Sequence, residues 1–504
     1  MRPHGRFVFW YPFLAAVVGF IVCRAALLEP IFFNIDEAEY AVAAQALPHG
    51  LWPGAELVGS TKPPAIVYLY AAIFAVFGES LLAVQCIGLA LWIAMLYLTM
   101  RIGAGLLPDL PAWLVAVAFF LFANSFGHPR DMQALNVELP GTVCVALGFW
   151  LLIRGENKAR FCYAGVLLGL ASMFRQSFAL YLFAFLVFVP QPRRSGALQI
   201  VIGVAVPWIL LFTAYAGTGR LTAALDSWFR YPFVYAGDTG LAGFVEAAWY
   251  NTLDLVKQGF VIWLLLPVGL LVLWKRRAWT ILLLLLCAAA TIAVGSRFSP
   301  HYYIQALPFL ALASALAAGV LFVLGPRWSL FMRTALTIGC ALALLHFPFW
   351  RFWDDLAPPN GLSPETLDGN ALEQELAGFA AGQTSSADRI FVWGYCPQIY
   401  FHAQRLPAVR DYLCHYVTGY SAATSNPRPY ARADAEAMLI ADLAQHKPAL
   451  IFDISAVEFY PYSFHSYPIT RYADLTAFIR ANYQPVAQVG STAIYAAQHS
   501  SSSN

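Results

Sequence analysis

Apolar runs recur along the chain from residue 8 to residue 349, separated by short segments rich in Arg, Pro or Gly. Runs of roughly 17–25 apolar residues are long enough to cross the hydrocarbon core of a bilayer as helices, and loops on the cytoplasmic side collect Lys and Arg. Arg2 and Arg6 put the N-terminus inside, and residues 8–28 form the first span. That span reads as retained: no small-residue cleavage site follows it, and Glu29-Pro30 comes directly after. Residues 65–77 are too few to cross comfortably and lie between Pro63-Pro64 and Gly78-Glu79, which predicts an interfacial or re-entrant helix. Alternating sides then return Arg101, the basic loop 154–160, Arg193-Arg194, Lys275-Arg276-Arg277, Arg327 and Arg333 to the inside. Between residues 160 and 193, two basic ends require an even number of crossings. This predicts two short spans with Arg175 at the outer tip, against one long tilted helix as the competing reading. Residues 217–257 read as an outer loop, residues 334–349 as the last span. The sum is about eleven crossings with the tail outside.

After residue 350 the pattern changes to ordinary polarity. Helical spacing appears near 372–379, 433–443 and 475–481, and strand-like runs at 389–393, 449–453 and 491–495. Alternating helices and short strands predict a small α/β domain. The expected organisation is a polytopic α-helical membrane domain over residues 1–350, with a first outer loop at 29–80, and an extracytoplasmic α/β domain over 351–504.

Composition supports the membrane class: 60% of the 504 residues are apolar and 12% charged, where soluble domains carry about a quarter charged. A net charge of +2 gives no argument for nucleic acid. Of the eight cysteines, Cys23, Cys86, Cys144, Cys162, Cys287 and Cys340 lie in apolar runs and read as small core residues. Cys396 and Cys414 lie in the polar tail, where an oxidising compartment would permit a disulfide.

The alternation has a consequence for charge. Asp36, Glu37, Lys62, Arg130, Asp131, Arg175, Arg230, Arg297 and His301 all fall on the outer side, although the positive-inside rule disfavours cations there. Cations at the bilayer surface suit a phosphate, through charge-assisted hydrogen bonds. Ion pairs within the loops, such as Arg130 with Asp131 or Glu138, are the plainer alternative. The acidic run Asp36-Glu37-x-Glu39 follows the first span, where burial can raise a pKa and make a general base. A helix cap by Asn34 or Asp36, with Glu37 and Glu39 in the first turn, explains the same residues.

Asp36-Glu37-Ala38-Glu39-Tyr40, followed by Lys62-Pro63-Pro64 opening an apolar helix that ends at Phe77-Gly78, resembles the first outer loop of the GT-C glycosyltransferases. The branch is that of the protein O-mannosyltransferases and the lipid A aminoarabinose transferase. Asn136-Val137-Glu138, residues 165–176 and residues 297–308 agree with it, so the resemblance covers most of residues 8–349 in order and spacing. It implies a GT-C membrane fold and transfer of a sugar, with inversion, from a polyprenyl-phosphate donor to a lipid A, surface-glycan or protein acceptor. The enzyme would sit in the inner membrane with its site on the periplasmic side. Asp36 would take the catalytic acidic position, with Glu37 beside it, and Lys62 the donor-phosphate contact. Tyr40, Arg130, Asp131, Glu138, Arg175, Arg297, His301 and Tyr302 are the further substrate-binding candidates. The chain departs from a common family form at Thr61, where an acidic residue usually precedes the lysine. No His/Cys cluster has metal-ligand spacing, so no metal is expected to be required, with a divalent cation as the alternative. A flippase of lipid-linked sugars is the rival reading, and a non-catalytic scaffold a third.

Overall fold

The computed structural model of the chain describes residues 3–25, 28, 30–58, 60–125, 132–154, 157–189, 193–236, 240–324, 364–419, 431–457 and 464–498. The expected span 334–349, Cys340, Arg130 and Asp131 lie outside the described residues. The chain divides into two compact units, each discontinuous in sequence. One gathers residues 1–33, 81–214 and 239–361; the other gathers 34–80, 215–238 and 362–504.

The first unit is helical. Leu81–Leu106 and Ser195–Gly217 are long and apolar enough to cross a membrane, and Gly240–Lys257 with Ile262–Lys275, bent by 107°, makes a third span if the two are counted as one. The remaining apolar helices run 10–17 residues, short of the roughly 20 that span hydrocarbon untilted. By length and hydropathy, then, two or three spans stand among the described residues where about eleven crossings were expected. The chain breaks at Arg175: helix Lys158–Phe174 stops there, a 3-10 turn covers Gln176–Tyr181, and Leu182–Phe188 continues. The segment read as an outer loop contains helix Gly240–Gln258, because Leu241, Val245 and Trp249 recur at helical spacing.

Backbones in this unit meet through glycine. A Cβ on Gly165 would lie 2.2 Å from the Ile200 carbonyl oxygen, and one on Gly203 2.2 Å from that of Cys162. Helices Lys158–Phe174 and Arg193–Gly217 therefore pack at a distance that only hydrogen at Cα allows. Arg24 is a buried cation near the end of the first helix, Pro3–Ala25. Its guanidinium donates to the carbonyls of Met132 (2.8 Å) and Ala123 (3.0 Å) and lies over the rings of Phe20 and Trp92.

The second unit carries a four-stranded sheet of order β1-β2-β4-β3, with β1 Ile390–Trp393, β2 Leu450–Asp453, β3 Tyr483–Val489 and β4 Thr492–Ala497. β1 and β2 are parallel and buried, which is why they read as unbroken apolar runs. The other pairings are antiparallel. The sequence pattern misses β3, an edge strand whose side chains are mostly exposed and whose register shifts between Pro485 and Ala487. Cys396 and Cys414 are both buried as free thiols. Asp411 accepts backbone N–H groups of His415 (3.1 Å) and Tyr416 (2.8 Å), capping helix His415–Thr418. Burial outweighs those bonds and raises its carboxyl to about 7.

Two outcomes follow from this packing. Gly165→Val is expected to lower the thermal midpoint in detergent by several degrees, since overpacking costs about 1–3 kcal/mol, whereas Gly217→Ala, where a Cβ meets nothing, leaves it unchanged. Asp411 binds its proton more tightly folded than unfolded. Its stabilisation is therefore full below pH ~4 and lost as pH rises through about 7. The midpoint should fall between pH 5 and pH 8, and less steeply in Asp411→Asn, by pH-resolved thermal melts.

Candidate active site

Asn34 starts the local structure. Extended at φ −145°, its side chain accepts the Glu37 N–H at 3.1 Å and caps helix Ile35–Ala46. The cap is Asn34, so Asp36 in the first turn is left to bind outward. Its Oδ2 lies 2.8 Å from Lys62 Nζ, which also donates to the Tyr40 hydroxyl at 2.5 Å and lies over the Tyr40 ring. The Asp36 and Lys62 side chains keep 22% and 18% of their exposure, enough for a ligand to reach them. Lys62 is delivered by Pro63-Pro64, and helix Ala65–Phe77 begins immediately after. That helix returns Tyr70, whose hydroxyl donates to Glu37 Oε1 at 3.4 Å.

Glu39, one turn after Asp36, is 4% exposed. Burial raises its carboxyl to about 7 against the opposing pull of Lys62; Asp36 adds to the rise, and a hydrogen bond with the Ser60 side chain opposes it. Among the described residues its Oε1 has no hydrogen-bond partner. The loop between the two helices is braced within the same unit. Gly54 adopts φ +79°, and a Cβ there would meet the Trp228 indole at 2.6 Å. Arg220 Nε pairs with Glu56 Oε1 at 2.6 Å. Consecutive residues of the C-terminal segment also hold it: the Arg410 carbonyl accepts the Val58 N–H (2.9 Å), and the Tyr412 hydroxyl donates to the Glu39 carbonyl (3.0 Å). Arg410 is itself clamped by Asp442.

In the first unit a second group of candidates comes together. Arg175 Nη1 lies 2.8 Å from Glu138 Oε1, and its guanidinium carbon stands 3.7 Å from the Tyr302 ring centroid. His301 meets Tyr302 edge-on. Among the described residues, Glu138 Oε2 and both side-chain polar atoms of the fully buried Asn136 have no partner. Arg297 offers its carbonyl to Asn251 at 2.7 Å. The Arg175–Glu138 pair is a bond within the bundle, the plainer of the readings for an outer-side cation.

The structure thus joins Asp36, Glu37, Tyr40 and Lys62 in one group, and Glu138, Arg175, His301 and Tyr302 in another. Glu39 was legible only as a first-turn acid, although its spacing from Asp36 gives the shared helix face. Tyr412 and Arg24 carry no local signal, because their partners lie far away in the chain.

Residues 61–216 match the family profile described as dolichyl-phosphate-mannose-protein mannosyltransferase. A curated relative, the undecaprenyl phosphate-alpha-4-amino-4-deoxy-L-arabinose arabinosyl transferase of Pseudomonas savastanoi pv. phaseolicola, is 27% identical over 329 residues; the match spans 58% of each chain. The fold is similar to that of ArnT from Cupriavidus metallidurans bound to undecaprenyl phosphate, with a TM-score of 0.61 over 97% of this chain and 98% of the other at 12% identity. It is also similar to the archaeal oligosaccharyltransferase AglB from Archaeoglobus fulgidus in complex with an inhibitory peptide and a dolichol-phosphate, at 0.53 over 97% and 74%, again 12% identical. Sequence and fold converge: the chain is similar over residues 61–216 to the protein mannosyltransferases, over 329 residues to an aminoarabinose transferase, and in fold to ArnT and AglB.

Proposed function

We propose that the chain is a multi-pass inner-membrane glycosyltransferase that takes a sugar from a polyprenyl-phosphate donor and transfers it, with inversion, to an acceptor hydroxyl. The observation that carries this reading is the Asp36–Lys62 pair at 2.8 Å, about one-fifth exposed and released from capping duty by Asn34. The relatives act, by their names, on dolichyl-phosphate-mannose or an undecaprenyl-phosphate aminoarabinose, which supports a lipid-phosphate donor here. Lipid A, another surface glycan or a protein hydroxyl is the acceptor class. The proposed topology keeps about eleven crossings, the shorter helices spanning by thinning the bilayer, with the site and residues 351–504 on the periplasmic side.

Chemically, Lys62 exchanges partners. In the free protein its ammonium neutralises Asp36; a donor phosphate entering the site competes for it and releases the Asp36 carboxylate. The acceptor oxygen then attacks the anomeric carbon from the face opposite the phosphate, its proton passes to Asp36, and the bond from carbon to phosphate oxygen breaks. Lys62 stabilises the charge that develops on the departing polyprenyl phosphate. Glu37, held by Tyr70, fixes the start of the helix that presents Asp36. Arg130, Asp131, Glu138, Arg175, Tyr40 and Tyr302 remain proposed substrate contacts. No metal takes part in the proposed steps. The flippase reading is not favoured, because the fold and the sequence relatives are those of transferases.

Asp36→Asn should lower transfer by about 10²–10⁴-fold, the span of general-base catalysis, with an unchanged thermal midpoint. The assay uses membranes containing labelled polyprenyl-phosphate sugars at matched expression. Label that only changes leaflet, equally in both proteins, would instead support a flippase. Lys62→Gln should raise the donor KM about tenfold or more, the loss of one charge-assisted phosphate contact; steady-state kinetics against donor concentration checks it, and an unaltered KM removes Lys62 from the phosphate.

A further inference from the structure

Of the three carboxyls on helix Ile35–Ala46, two are engaged by side-chain donors: Asp36 by Lys62 and Glu37 by Tyr70. The third, Glu39, is more deeply covered than Asp36, lies on the same helix face, and couples electrostatically to Asp36 and Lys62. Ser60 satisfies part of it, while Oε1 finds no donor among the described residues at 4% exposure. A buried carboxyl oxygen without a donor is unfavourable, and native proteins tolerate it mainly where function supplies the partner. Thr61, next to Lys62, carries no charge, and Glu39 from the helix is a second carboxyl that interacts electrostatically with Lys62.

We propose that Glu39 is a specificity-determining residue that reads the donor sugar: with the donor phosphate on Lys62, Glu39 Oε1 accepts a hydrogen bond from one hydroxyl or amino group of that sugar. This rests on the transferase reading above and on Lys62 as the phosphate contact. The geometry suits the task. Ser60 bonds the carboxyl and the Tyr412 hydroxyl bonds the Glu39 carbonyl, so the group is held in place, and its covered Oε1 opens to the sugar only as the donor phosphate draws Lys62 away from Asp36. At neutral pH a carboxyl raised to about 7 is part protonated, and a sugar donor group draws it to the ionised form. Sites built to bond a substrate hydroxyl discriminate strongly against the analogue that lacks it, because the protein group is then left unpaired.

The test is a cycle of protein and sugar changes. Polyprenyl-phosphate sugars are first screened with the unmodified protein, and single-deoxy or deamino analogues of the accepted donor are then compared in the unmodified protein, Glu39→Leu and Glu39→Gln. One analogue is expected to lose on the order of 10- to 100-fold in kcat/KM with the unmodified protein. That deficit should collapse to about 3-fold or less in Glu39→Leu and be intermediate in Glu39→Gln. Equal deficits in all three proteins overturn the inference while leaving the transferase reading intact. If Glu39→Leu does not fold, Glu39→Gln decides alone: a smaller deficit supports the role, an undiminished one refutes it. Absence of transfer from every donor with the unmodified protein removes the transferase reading itself, and this inference with it.

Discussion

One ammonium group at Lys62 holds the candidate active site together. It is shared by a carboxylate and a phenol, Asp36 and Tyr40, in a partly covered setting where the effective dielectric is well below that of water and a charge without a partner is expensive. Around it the local chain is arranged so that lysine and acid meet without either being used structurally. Asn34 takes the cap. Pro63-Pro64 stop the approaching strand of chain and start the next helix. Gly54 allows the turn between them to close against Trp228. A phosphate is the natural competitor for such a lysine, since it offers more negative charge and more acceptor oxygens than one carboxylate.

The first unit shows how a helical bundle accommodates polar groups that its apolar surroundings disfavour. Arg24 is matched by two carbonyls and two aromatic faces, and Arg175 by Glu138 and the Tyr302 ring. Burying a charge is tolerable when partners come with it. Asn136, two residues before Glu138, is fully buried, with neither side-chain polar atom partnered among the described residues. The unit's glycine crossings rigidify the frame, because backbones in contact leave side chains little freedom to adjust.

In the second unit, the C-terminal segment does more than cover a core. Arg410, Asp411 and Tyr412 are adjacent in sequence and serve three ends: Arg410 is clamped by Asp442 and offers its carbonyl to Val58, Asp411 caps a helix, and Tyr412 bonds the helix that carries Asp36 and Glu39. Disturbing this segment therefore reaches the acidic helix through the Tyr412 hydroxyl and the loop before Lys62 through the Arg410 carbonyl. Tyr412 acts through that helix and is a positioning residue.

The sequence by itself determined the membrane class, the 13-residue helix after Pro63-Pro64, the three buried or half-buried strands and the Asp36/Lys62 motif, because hydrophobic period, proline chemistry and charge placement are local properties that survive without tertiary context. Only the tertiary structure decided that Asn34 and not Asp36 is the cap, that Arg175 pairs with Glu138 and lies over Tyr302, and that the edge strand at Tyr483–Val489 exists. It also decided that Glu39 is the covered carboxyl beside Lys62. Which oxygen is capped, paired or left without a donor depends on partners tens to hundreds of residues away, as with Tyr412 and Glu39, and on how much water their packing excludes.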